Sequence, residues 1–306
     1  MNQARETADV LATTGPVAPP RSSFQILPGA DPVADELAGG VLLLGNFDGF
    51  HLGHRALLRA AADARRAGPL GIMSVEPHPR QLFDPGASPF RITTERIKHE
   101  AFRRLGFTFA FAPRFDQAFA GQSAEAFVED LLVRALRVAH VVVGEDFRFG
   151  HKRRGDVSTL RSLGADLGFG VTAVAAVRQQ DVVCSSSLIR EMLRLGDVAG
   201  ASALLGHPWS VEVAARRQSS GVMEIGWPDA VIAPPAGTYR VRLRRLAASA
   251  TIGAGSLEIG ARGCYLLLDD ARSPAIPAGA LALDVLDRDD LGSDQSPTLR
   301  HRTPER

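Results

Sequence analysis

Between about Ser23 and Leu205 short, wholly apolar runs alternate with stretches of helical period, and beyond His207 the period shortens to two. The first pattern predicts parallel strands buried on both faces and joined by crossover helices. The strands are Val41–Leu44, Leu70–Val75, Thr108–Phe111 and His140–Val143, with shorter ones at Val171–Val174 and Val182–Val183. Helices are predicted from about Gly53 to Arg66, over Thr93–Leu105, over Ala124–Leu136 behind an N-cap at Ser123, over Asp156–Leu167, and over Ser186–Leu195, which Gly196 stops. From His207 to Asp290, alternating segments such as Tyr239–Leu243 and Tyr265–Leu268 are divided by Gly and Pro, the pattern of a small antiparallel β-barrel. The fold class is therefore α/β, a parallel-sheet domain over 23–205 followed by a barrel-like domain over 206–291. Segment 1–22, rich in Ala, Thr and Pro, and the polar segment 292–306 read as disordered ends.

Composition narrows the function. The 306 residues are 45% hydrophobic and 23% charged, a globular mix, and 35 basic against 34 acidic side chains give a net charge of +1. That balance argues against a nucleic-acid binder that tracks phosphates. Lys98 and Lys152 are the lysines of the chain and neither follows a glycine, so a Walker A loop is excluded. Cys184 and Cys264 are too few for a disulfide framework. The longest aliphatic run, Val41 to Leu44, is far short of the ~20 residues of a membrane helix. The first twenty residues lack the apolar core of a signal peptide. The expectation is a cytoplasmic protein without membrane or nucleic-acid partners.

The most informative segment is Gly45-Asn46-Phe47-Asp48-Gly49-Phe50-His51-Leu52-Gly53-His54, which runs from the end of a buried strand into a helix. Exposed amides and the positive end of the helix dipole favour an anion there. Two imidazoles three residues apart can both donate hydrogen bonds to one triphosphate, and the glycine between them allows close approach. On these residues alone, two surface histidines on a glycine turn is the competing reading. A metal site including Asp48 is another, although no third spaced ligand is evident.

The string resembles the H-x-G-H signature of the nucleotidyltransferase superfamily, in the form found in bacterial FAD synthetases, whose N-terminal domain is a Rossmann-like FMN adenylyltransferase. Further segments match that family in order: Glu76-Pro77-His78-Pro79, Arg91-Ile92-Thr93-Thr94, Ser123-Ala124-Glu125-Ala126-Phe127, and Val143-Gly144-Glu145-Asp146-Phe147-Arg148-Phe149-Gly150. Cys184-Ser185-Ser186-Ser187-Leu188-Ile189-Arg190 resembles the family's I-S-S-T-x-I-R motif, with Cys in the apolar place and Ser187 for Thr. The resemblance covers roughly Phe24 to Pro208. It implies transfer of AMP from Mg-ATP to FMN, giving FAD and pyrophosphate, with Mg2+ arriving on the nucleotide and its protein ligands unknown. It further implies catalytic roles for His51, His54 and Arg190. ATP would be bound by Gly45, Asn46, Phe47, Asp48, Gly49, Gly53, Ser185, Ser186 and Ser187, and the flavin by Glu76, Pro77, His78, Pro79, Asp146, Phe147 and Phe149. A non-catalytic flavin- or nucleotide-binding regulatory protein, or a superfamily member with another acceptor, is the alternative.

In bifunctional members the C-terminal barrel is a riboflavin kinase marked by G-x-P-T-A-N. Here the aligned residues are Gly226-Trp227-Pro228-Asp229-Ala230-Val231, so Asp replaces Thr and Val replaces Asn. A valine cannot coordinate Mg2+, and an aspartate facing a triphosphate repels it unless a metal intervenes. The preceding glycine loop is reduced to Ser219-Ser220-Gly221-Val222-Met223-Glu224, and Glu258 is the nearby candidate for the kinase glutamate, in a context that does not match. Kinase activity is expected to be lost.

Overall fold

The structure, a computed structural model, describes residues 24–29, 31–65, 68–84, 86, 88–179, 182–218, 222–246, 250–269 and 281–289. The end segments read as disordered from sequence, and Ser219–Gly221, lie outside the described residues. The chain divides into two compact units, Met1–Ser186 and Ser187–Arg306. The change of pattern near 205 is thus a change of secondary structure, whereas the division between units falls nearer the start of a helix.

The first unit is built on six parallel strands: β1 (Gln25–Leu27), β2 (Val41–Leu44), β3 (Leu70–Met73), β4 (Phe109–Phe111), β5 (His140–Gly144) and β6 (Gly170–Val174), in the order β1-β4-β3-β2-β5-β6. All four residues of β2 and of β3 are buried, which explains their unbroken apolar runs: helices cover both faces of the sheet. Alternate residues of one strand enter different cores. Val41 and Leu43 join Ile72, Leu57 and Ala61 with the rings of Phe47, Phe50, Phe102 and Phe107, while Leu42 and Leu44 join Phe111, Phe127, Leu131, Val143 and Leu160.

The helices are α1 (Leu52–Ala64), α2 (Pro79–Phe83), α3 (Glu95–Arg104), α4 (Gln117–Ala120), α5 (Ala124–Ala126), α6 (Val157–Leu167), α7 (Ser186–Leu195) and α8 (Val198–Leu205). The stretch predicted as one α-helix to Leu136 is α5 followed by a π-helix over Phe127–Ala135, with the Leu136 amide on the Leu131 carbonyl at 2.9 Å. An apolar helical period does not distinguish the two winding modes. Val182–Val183 does not extend the parallel sheet. It is β8, which pairs antiparallel with β7 (Arg178–Gln179) as a separate ribbon.

The second unit holds a closed antiparallel barrel of β9 (Trp209–Arg217), β10 (Met223–Gly226), β11 (Gly237–Arg245), β12 (Thr251–Gly260), β13 (Gly263–Leu268) and β14 (Leu281–Arg288), ordered β10-β13-β12-β11-β14-β9. Tyr239, Val241 and Leu243 alternate inward with Trp209, Val211, Leu257, Leu266 and Leu283, all almost completely buried. Helix α8 lies on β14 and β9. Asp284, on β14, is buried and held by Ser210 Oγ at 2.6 Å and by the guanidinium groups of Arg242 and Arg244 at 2.8 and 2.9 Å.

Candidate active site

Because β2, β3 and β5 are parallel neighbours, the loops that leave their carboxyl ends emerge along one edge of the sheet. The chain runs from β2 outward to β3 and β4, then returns to β5 on the other side of β2, so the sheet changes direction beside the β2 loop. That is where open α/β sheets bind ligands.

The β2 loop is held in an unusual shape. Phe47 has φ +49°, a left-handed conformation that costs a non-glycine residue energy, and Gly49 has φ +71°. The Phe47 ring offsets that cost by being almost fully buried, with ring centres 4.9 Å from His54, 5.9 Å from Phe50 and 6.1 Å from Phe102. Asp48 is also buried. Its carboxylate accepts the backbone amides of Ile92 and Thr93 at 3.0–3.1 Å and the Thr93 hydroxyl at 3.3 Å. Asn46 is exposed, and its carbonyl accepts Ser74 Oγ at 3.1 Å.

His51 occupies the N-cap of α1 without making a side-chain cap. It stacks on His54 with ring centres 3.7 Å apart and planes 19° from parallel. Gly53 makes this possible: a Cβ there would come 2.9 Å from His51 Cε1 and 3.4 Å from the Cys184 carbonyl oxygen. Burial, and after it the neighbouring His51, push the pKa of His54 well below 6.5. His54 is therefore a neutral imidazole at pH 7, its Nδ1 buried without a hydrogen-bond partner among the described residues. A neutral ring still donates through its one N–H, which is what an anion requires of it.

Sequence reasoning did not single out Lys98 or Ser74 as site residues, yet they tie the loops together. Lys98 Nζ is almost fully buried, donates to Ser74 Oγ at 2.7 Å and pairs with Glu76. Arg91 clamps the same carboxylate with two bonds of 2.7 Å. Burial raises the Glu76 pKa, but the hydrogen bonds from Arg91 and the charges of Lys98 and Arg91 outweigh it and bring the group to about 2. For Lys98, burial outweighs the attraction of Glu76 and the ammonium pKa falls. Glu76 gains from two cations, whereas the pull of Glu76, and after it Asp48, on Lys98 is opposed by burial and by the charge of Arg91. The available signal was that one of the two lysines sits between Ile97 and Phe102 on a buried helix face.

The remaining predicted residues fall into three groups. Pro77 is exposed, and His78 caps α2, accepting the Arg80 amide at 3.2 Å while its own amide donates to Gln81 at 3.1 Å, with Pro79 at the first helical position. In the β5 loop Asp146 is exposed, Phe147 half-buried, and Phe149 buried against Phe127 at 5.3 Å; Phe147 stacks on Phe149 at 5.7 Å. Ser185 is half-buried, and Ser186 Oγ donates to the Asp48 carbonyl at 3.0 Å, closing the β2 loop from a third direction. Ser187 and Arg190 belong to the second unit. Among the described residues no cluster of three or more His, Cys, Asp or Glu could hold a metal ion, and no helix is long and apolar enough to cross a membrane.

The model of the FAD synthetase family matches residues 34–188, a span that contains the β2, β3 and β5 loops and the first serines of α7. The chain belongs to the FAD synthetase family. It is similar to the bifunctional riboflavin kinase/FMN adenylyltransferase of Escherichia coli K12, 37% identical over 213 residues, 67% of this chain and 68% of that protein. It is also similar to the protein of that description from Pseudomonas fluorescens, 33% identical over 228 residues, 71% and 72% of the two chains. A crystal structure from Streptococcus pneumoniae described as a macrolide-efflux protein superimposes with a TM-score of 0.75 at 21% identity, covering 87% of this chain and 90% of that one, which shows the shared fold. As a member of the FAD synthetase family the chain is a nucleotidyltransferase, with the nucleotide-binding α/β fold and the place in FAD biosynthesis that this entails.

Proposed function

We propose that the chain is an FMN adenylyltransferase in which the riboflavin kinase chemistry of its bifunctional relatives has been lost. The observation that carries the first half is the stacked pair His51–His54 at the amino end of α1, beside the point where the sheet changes direction. An FMN phosphate oxygen attacks the α-phosphorus of Mg-ATP, the bond from that phosphorus to the bridging oxygen breaks, and pyrophosphate leaves. Nucleophile and leaving group are competent as they stand, so catalysis is alignment and stabilisation of the charge that builds on the α-phosphate. His51 and His54 supply N–H donors, and the first amides of α1 add a partial positive charge. Mg2+, carried by the nucleotide, neutralises the departing phosphates.

In this reading Gly45, Asn46, Gly49 and Gly53 border the nucleotide, whereas Phe47 and Asp48 act from beneath the loop, as their burial implies. Ser185 and Ser186 lie on the same loop's flank; phosphate roles for Ser187 and Arg190 rest on the motif alone. Pro77, His78, Pro79, Asp146 and Phe147 border the flavin, with Glu76 and Phe149 holding those loops from inside.

The second half rests on the barrel. Val231 is buried at 1% exposure, with its amide on the Pro228 carbonyl at 3.1 Å, and Asp229 is exposed on the turn between them. An apolar side chain packed inward at the Asn position offers no ligand to metal or phosphate. Purified protein given Mg-ATP with either FMN or riboflavin separates the alternatives. FAD from FMN, and no FMN from riboflavin, is the expected result. Failure to make FAD overturns the first half, and FMN formed from riboflavin overturns the second.

A further inference from the structure

Cys184 stands where the resembling motif has an apolar residue, and its sulfur lies 3.7 Å from His51 Nδ1, within hydrogen-bond range for sulfur. The thiol is buried at 5% exposure, and its backbone amide is fixed by the Val177 carbonyl at 2.8 Å. An isoleucine or valine at this place has nothing to offer a ring nitrogen. A thiol can donate.

We propose that Cys184 is a positioning residue that donates its S–H to His51 Nδ1 and thereby holds His51 in the tautomer with its proton on Nε2.

The direction of the bond follows from which partner keeps its proton. Burial pushes the Cys184 thiol up, so the sulfur keeps its proton, and because the Gly53 and Leu52 amides already donate to that sulfur, its S–H is what remains to offer the ring. With Nδ1 occupied as acceptor, Nε2–H is the donor His51 retains. An imidazole serves a triphosphate only through an N–H that faces it, so fixing which nitrogen of His51 accepts decides which one donates. This role rests on the adenylyltransferase reading for its catalytic meaning, but the tautomer itself does not.

The test is 15N NMR of the histidine side chains in the full chain without substrate, for wild type, Cys184→Ser and Cys184→Ala, with steady-state FAD formation measured in parallel. Wild type and Cys184→Ser should show His51 protonated on Nε2. Cys184→Ala should shift the tautomer ratio toward Nδ1–H by about threefold to tenfold, the worth of one modest hydrogen bond. Turnover should fall in Cys184→Ala and recover in Cys184→Ser at unchanged KM for ATP, which a purely packing role would not produce. A wild-type His51 protonated on Nδ1, or an unchanged ratio in Cys184→Ala, overturns the proposal. If wild type shows the Nε2–H tautomer and its loss in Cys184→Ala but makes no FAD, the functional reading fails and this one stands.

Discussion

The carboxylate of Asp48 accepts the amide of Ile92 through both of its oxygens, at 3.1 and 3.0 Å, across 44 positions of sequence. A residue that the motif places on the nucleotide is thus a strut between the β2 loop and the segment that opens α3. Asp48→Ala leaves two buried amides without their acceptor, and each such donor costs about 1–3 kcal/mol. The variant should lose about 3 kcal/mol of stability in a denaturant titration and lose activity with it. A variant of wild-type stability with a raised KM for ATP would show that Asp48 contacts the nucleotide.

Gly53→Ala separates local stability from function. Within a helix alanine is preferred to glycine by about 1 kcal/mol, so the helix itself does not suffer. The new Cβ would come 2.9 Å from His51 Cε1 and must displace that ring. Turnover should fall by about two orders of magnitude, the scale of a lost preorganised donor. Circular dichroism should be unchanged. Full activity in this variant would remove His51 from the mechanism.

His54→Gln should lower turnover by ~10²–10³ while the chain remains folded. Because the His54 pKa lies well below 6.5, its protonation adds no inflection to the pH–rate profile between pH 6.5 and 8, where the ring is already neutral. The profile of kcat against pH checks this. A step near pH 6.5 that disappears in His54→Gln would contradict the buried, neutral state.

Acid should weaken the fold in two overlapping windows. His99, buried beside Lys98, has its pKa lowered from 6.5 to about 4, first by burial and then by that ammonium. The unfolded chain takes up this proton first, so stability present above pH 6.5 is lost as pH falls toward 4. Glu76, lowered from 4.5 to about 2 against its burial by Arg91 and Lys98, contributes about 3 kcal/mol above pH 4.5 that is lost between 4.5 and about 2. Unfolding free energy measured from pH 7 to 3.5 should fall steadily, and His99→Gln should flatten the part above pH 4.5. An unchanged slope in that variant would assign the loss to other groups.

The elements legible in the sequence are those whose burial is complete on both faces or strictly alternating. Val41–Leu44 stood out because both sides of β2 face helices, and Tyr239–Leu243 because one side of β11 faces the barrel interior. Gln25–Leu27 was missed: three residues at the sheet edge, with Ile26 exposed, leave no apolar run. Helix α8 was missed for the opposite reason, since Val198, Ala201, Leu204 and Leu205 form an apolar helix without polar contrast. At the site, the pair His51 and His54 was legible from spacing. The burial of Phe47 and Asp48 was not, because a motif records which residues recur together and not whether a side chain faces the ligand or holds the loop from behind. Lys98 and Ser74 act through partners distant in sequence, at separations of 22 to 28 positions, which no local pattern encodes.

Asn46, Asp48 and Glu76 all terminate, directly or through Ser74, on the short stretch from Arg91 to Lys98. Two loops pinned to a common brace cannot wander independently, so their mutual alignment is settled when the polypeptide folds and not when a nucleotide arrives. The entropy of ordering them is then absent from the binding step, and the cradle meets its guest already assembled.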